Sequence, residues 1–153
     1  MLRDQFNDAL KTAMKQKNTV AVSTLRLILT AIKDRDIAVR GKGDRDQITD
    51  QEILQVLQTM VRQRHESIAL YEQGGRKELA DQEAAEIAII ESFLPKQLGD
   101  EEMAAAIKAV VQEVGAAGIK DMGRTMAVLR ERYAGQMDFG KASAELKSQL
   151  NAL

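Results

Sequence analysis

Cysteine and tryptophan are absent from this chain, proline and histidine occur once each, and aromatic residues make up 3% of it. Without cysteine there are no disulfides, no thiolate nucleophile and no cysteine-based zinc site, a composition that suits a reducing compartment. The lone His65 has no second histidine with which to form a metal pair. No stretch approaches the roughly 18 consecutive apolar residues of a membrane span. The opening MLRDQFNDALK is charged from Arg3 onward and lacks the apolar centre of a signal peptide. A soluble cytoplasmic protein with no membrane association is the expectation. Neither sign of charge is in excess: 22 Lys and Arg stand against 23 Asp and Glu, for a net charge of -1. Whole-chain electrostatics therefore favour neither a nucleic-acid glove nor a membrane-surface binder, and a charged partner must be met by a local patch.

What the chain does have is helical periodicity. Its 153 residues, 44% of them hydrophobic, are enough for one ordinary domain or two small ones. Leu2, Phe6, Leu10 and Met14 recur every four residues, and Leu25, Ile28, Leu29 and Ile32 repeat the stripe after a polar break near Asn18. RGKGDRDQ, residues 40–47, reads as a solvated loop. Thr49 and Glu52 then have capping-box spacing, with the threonine hydroxyl placed to accept the Glu52 amide and the carboxylate to reach back. Ile53, Leu57, Met60, Val61, Ile68 and Tyr71 continue a long third helix up to Gly74-Gly75, and Leu79, Ile87, Ile90 and Phe93 mark a fourth.

Pro95 lacks an amide for the helical ladder and disfavours helical geometry in its predecessor, so the fourth helix is predicted to end near Leu94. Asp100 is the expected N-cap of the next, with Glu101 and Glu102 at its positive end. Met103, Ile107, Val110, Val111 and Val114 form that stripe, which stops at GAAG, residues 115–118. Ile119, Met122, Met126, Leu129 and Tyr133 follow, and after Gly135 come Phe139, Ala142, Leu146 and Leu150. The predicted fold is all-α: an N-terminal four-helix domain over residues 1–94, a connector at 95–99 and a small C-terminal three-helix domain over 100–153. A single seven-helix bundle is the alternative arrangement of the same helices.

Candidates for chemistry are few. His65 sits on the polar flank of its helix. Glu83 and Glu86, three apart, have the spacing of a cation site or acid/base pair, but read as a solvated acidic face. The loop containing Gly41, Gly43, Asp44 and Asp46 matches neither a phosphate loop nor a calcium hand. Ser23 and Thr24 have no histidine in a nucleophile-activating arrangement. Met122 and Met126 read as core. No catalytic residue, metal ligand or cofactor is assigned.

Residues 120–147 carry six cations, Lys120, Arg124, Arg130, Arg132, Lys141 and Lys147, against four carboxylates, an excess of +2. Gly123 precedes Arg124 and Gly140 precedes Lys141, pairings that would let a phosphate or another backbone approach closely. The alternative is tight helix packing at both glycines with the cations free in water.

STLRLILTAIKDRDI, EILQVLQTMVRQRHESIALYEQGGRKELADQEAAEIAIIESFLPKQL and DMGRTMAVLRERYAGQMD together resemble the GatB/YqeY family, in particular its stand-alone bacterial YqeY-like members. The most specific segments are Q-R-x-E-S-I at 63–68, L-A-x-x-E at 79–83, L-P-x-Q-L at 94–98 and M-G-x-x-M at 122–126. The resemblance implies that the C-terminal part is similar to the tail domain of the B subunit of the tRNA-dependent amidotransferase, which helps hold tRNA. It links the chain by name with carbon-nitrogen ligase activity using glutamine as amido-N-donor. The chemistry of that enzyme lies in other domains and subunits, whose motifs do not occur here. Two departures stand out: Asp138-Phe139-Gly140 where relatives often show an Asp-Gly pair, and Thr125 where many have a branched aliphatic residue.

The expected function is a tRNA-binding or tRNA-associated accessory protein, with Lys120, Gly123, Arg124, Arg130, Arg132, Lys141 and Lys147 as candidate RNA-binding residues. The alternative is a helical protein-protein interaction adaptor that docks a partner through the N-terminal helices. Autonomous amide transfer is a third reading, which lacks an activated nucleophile and a nucleotide loop. Oligomeric state is not legible in the sequence.

Overall fold

The computed structural model describes residues 1–43 and 45–153, so Asp44 of the loop considered above lies outside the described residues. The described chain is all-α, with seven helices in two compact units, Met1–Leu94 and Pro95–Leu153. The first unit contains α1 (Leu2–Lys15), α2 (Thr19–Gly41), α3 (Asp50–Gln73) and α4 (Lys77–Glu91). The second contains α5 (Asp100–Val114), a 3-10 turn over Ile119–Asp121, α6 (Met122–Arg132) and α7 (Phe139–Asn151).

The core of the first unit is built on Phe6, Leu25, Ile28, Ile53, Leu57 and Ile90, and the Phe93 ring meets that of Phe6 edge-on at 4.9 Å. Met14, by contrast, is 52% exposed, and Ala13 is buried instead. A four-residue repeat overshoots a helical turn by about 40° at each step, so by its fourth member the stripe has rotated off the core. The helix α2 also runs further than expected, through Arg40 and Gly41, and Gly43 takes the left-handed conformation with φ 75°.

Helix ends follow their local signals. The Thr49 hydroxyl accepts the Glu52 amide at 3.2 Å while the Glu52 carboxylate accepts that of Thr49 at 3.1 Å, closing the capping box. Three helices close with an amide reaching back five residues around a left-handed residue: Asn18 to Ala13, Arg76 to Tyr71 and Ala116 to Val111. Gly75 and Gly115 supply the left-handed residue in the last two, but in the first it is Lys17, at φ 55°. At the start of α5 the N-cap is Gly99, whose amide donates to the Glu102 carboxylate, and Asp100 is the first helical residue. After α4 the chain tightens through Phe93 and Leu94, whose amides reach the carbonyls of Ile90 and Glu91, before Pro95 forbids more.

Met103, Ile107, Val110, Leu129, Met137 and Leu146 anchor a separate core in the second unit, against which Leu98 packs. The Leu98 amide donates to the Gln136 carbonyl at 2.8 Å, which ties the far end of the 95–99 segment into this unit. Ile119, read as the first member of the α6 stripe, is instead 46% exposed on the 3-10 turn, and Met137 fills the core from the turn before α7.

Candidate nucleic-acid interface

The six cations of residues 120–147 are all exposed, but the helices distribute them over several faces. At 100° per residue, Arg124 and Arg132 lie about 80° apart on α6, whereas Arg130 lies about 160° from Arg132, and Lys141 and Lys147 are about 120° apart on α7. What the fold gathers is Arg124 and Arg132 at the C-terminal end of α5, with Lys120 on the connecting turn.

Both arginines are held by hydrogen bonds. Arg124 donates to the Val114 carbonyl at 2.6 Å and to Asp121 at 3.1 Å, so its charge sits at the negative end of the α5 dipole. Arg132 grips Glu113 with two parallel N–H donors at 2.6 and 3.0 Å. The Arg132 partnership holds the Glu113 carboxyl below its ordinary range. Asp121 is held low first by the Ala117 amide, at 2.7 Å, and then by Arg124. A guanidinium has five donors, so each arginine, at 53% and 44% side-chain exposure, keeps donors turned to water.

The two glycine pairings differ. At Gly123 no atom lies within 4 Å of where a Cβ would stand, so tight packing does not explain this glycine and its backbone is open to solvent. At Gly140 the Asp138 carboxylate would lie 3.1 Å from a Cβ. Asp138 is the N-cap of α7 and accepts the amides of Gly140 at 2.8 Å and Lys141 at 3.3 Å, so those donors are already engaged. Both departures from the family pattern have local accommodation. Thr125 is fully buried with its hydroxyl donating to the Asp121 carbonyl at 2.8 Å, and Phe139 packs onto the core directly after the Asp138 cap.

Elsewhere the structure corrects one reading. Glu83 and Glu86 are not a solvated acidic face: Glu86 is buried and accepts the Arg64 Nε–H at 2.9 Å, and Glu83 lies 3.8 Å from the same nitrogen. The α3–α4 hairpin brings Arg64 over the pair, a contact across 22 residues that spacing within α4 does not reveal. Burial, and then the Glu86 charge, push the Glu83 carboxyl up. His65 is exposed on α3, and Ser23 is exposed on α2. Among the described residues there is no group of three or more His, Cys, Asp or Glu placed to hold a metal, and no helix is long and apolar enough to cross a membrane.

Sequence reasoning also missed Asp36. This buried carboxylate accepts two Arg3 donors, both at 2.8 Å, and the Ile48 amide at 2.8 Å. Arg3 also donates to the Ile48 carbonyl at 3.1 Å, so one cluster ties α1, α2 and the approach to α3 together. Its only sequence signal is an acid at a core-facing position of α2.

The Yqey-like protein family matches residues 3–150, and the chain belongs to it. It is also similar to the Altered inheritance of mitochondria protein 41, mitochondrial, of two yeasts. With that of Kluyveromyces lactis it shares 33% identity over 84 residues, 55% of this chain and 43% of the relative. With that of Clavispora lusitaniae it shares 33% over 109 residues, 70% of this chain and 61% of the relative. The chain thus spans about half the length of these curated relatives.

Proposed function

We propose that the protein is an accessory factor that associates with tRNA through its C-terminal unit, contacting phosphates rather than reading bases. The supporting observation is the α5–α6 corner: Arg124 and Arg132 are exposed yet held in place by Val114, Asp121 and Glu113, beside an open backbone at Gly123. Ordering such guanidiniums in advance lowers the entropy lost when a phosphate binds. Lys120 extends this corner, while Arg130, Lys141 and Lys147 widen the contact over other sides of the unit. On this reading the protein works in the cytoplasm, and the carbon-nitrogen ligase chemistry linked to its family name is carried out by other proteins. The test is binding of unfractionated tRNA across a salt series by the full chain and by a Lys120→Gln, Arg124→Gln, Arg132→Gln variant. Each phosphate contact contributes close to one unit of log–log salt slope, so the variant should lose about 2–3 units of slope and at least about tenfold in affinity. Unchanged binding by a folded variant sinks the reading. A second reading, protein docking by the N-terminal unit, is favoured by the exposed apolar side chains of Met14 and Leu27.

A further inference from the structure

On α2, Thr19, Val22, Arg26, Leu27 and Thr30 recur at i, i+3, i+7, i+8 and i+11, one continuous helix face. They floor a groove of about 820 Å³, walled by Met14 and Lys17 from the end of α1 and by Glu86 from α4. Eleven residues at 1.5 Å each make the floor about 16 Å long, three helical turns, the length over which a docked helix sets anchors at i, i+4 and i+7. The apolar contacts on offer are Met14 and Leu27, 52% and 46% exposed, together with Val22 in the floor. Methionine adapts its shape readily to a partner.

Charge selects the occupant. Lys17 and Arg26 supply the cations of the lining, and α2 carries no acid from Thr19 to Lys33. The wall carboxylate of Glu86 is already committed to Arg64 at 2.9 Å. A second copy presenting the same face would set these cations against their own kind. Lys17 also holds the left-handed conformation, φ 55°, at a helix end where glycine would adopt it without strain. The turn thereby holds the Lys17 cation at the edge of the groove.

We propose that this groove docks an amphipathic helix of a partner protein, which lays apolar residues on Val22, Leu27 and Met14 and sets Asp or Glu against Lys17 and Arg26. The proposal rests on the protein-docking reading and is independent of tRNA association, which uses the other unit. The probe is a synthetic helical peptide with leucines at i, i+4 and i+7 flanked by glutamates, compared with a twin carrying lysine in place of every glutamate. Titrated into the isotope-labelled full chain, the acidic peptide should shift the amides of Met14, Lys17, Val22 and Leu27 and bind at least tenfold more tightly than its twin. Leu27→Glu should abolish those shifts; should it unfold the chain, Arg26→Glu at an exposed position reads the same contact. Lys17→Gly should weaken binding several-fold while raising the melting temperature, a split that a purely structural lysine would not produce. Equal binding of the two peptides, or shifts confined to other surfaces, overturns the proposal. So does a dimer in sedimentation that Leu27→Glu dissolves, an outcome that assigns the groove to a second copy.

Discussion

Replacing Asp36 with alanine tests how far one ionic cluster holds the N-terminal unit together. The substitution removes the acceptor for both Arg3 donors and for the Ile48 amide, which is buried in the folded chain. Breaking a buried pair by deleting one partner costs about 3–5 kcal/mol, because the remaining charge is left uncompensated. Here the Arg3 side chain keeps 24% of its surface in water, so part of its charge is resolvated and the expected cost falls to about 2–3 kcal/mol. For a unit of this size that is a drop of roughly 10–20 °C in melting temperature, read by circular dichroism or calorimetry. Arg3→Met in the Asp36→Ala background should recover part of the loss, since no unpaired guanidinium then remains; the double-mutant cycle measures this coupling. The pH dependence follows with its sign. The Arg3 hydrogen bonds, and then the Ile48 amide, depress the Asp36 carboxyl against burial acting the other way. Its contribution is thus present above the ordinary aspartate value and lost as pH falls through the lower folded-state value. A cost below about 0.5 kcal/mol, or an identical cost with and without Arg3, would show that the cluster is an ordinary surface pair.

Glu52→Gln keeps a side chain able to complete the capping box but removes its charge. The Arg45 hydrogen bond, and then the Thr49 amide and hydroxyl, hold the Glu52 carboxyl at about 2, so wild type should be the more stable at neutral pH, with the advantage fading as pH falls toward that value. Denaturant midpoints across an acid series check this, and parallel curves for the two proteins would contradict it. Thr24 is fully buried, and among the described residues its hydroxyl has no hydrogen-bond partner, so Thr24→Val should stabilise the chain by about 1 kcal/mol in urea unfolding. A loss of stability there would mean that the hydroxyl is satisfied.

Helix identity and helix ends were legible in the sequence because their causes are local. The Thr49 capping box closes over three residues, Gly75 and Gly115 answer to amides five residues apart, and Pro95 acts on its immediate predecessor. Apolar spacing likewise identified Phe6, Ile53, Leu57, Ile107 and Leu146 as core. Where two readings competed for one surface, periodicity was silent. It could separate Arg130 from Arg132 around α6, but not show that Arg124 and Arg132 converge on the end of α5, since that depends on which neighbour α6 packs against. The left-handed Lys17 carries no glycine to announce it; that backbone is imposed where α1 turns into α2. Partners 33 residues apart, as Arg3 and Asp36 are, or 22 apart, as Arg64 and Glu86 are, meet only after helices have packed. The groove along α2 has the same origin: its floor lies on one helix, but the space above it exists because α1 and α4 stand to either side without covering it. Local hydrogen bonding and the spacing of apolar residues thus settled which segments are helical. The pairing of charges and the face left open were decided by tertiary packing, because both are relations between segments whose distance the sequence does not encode.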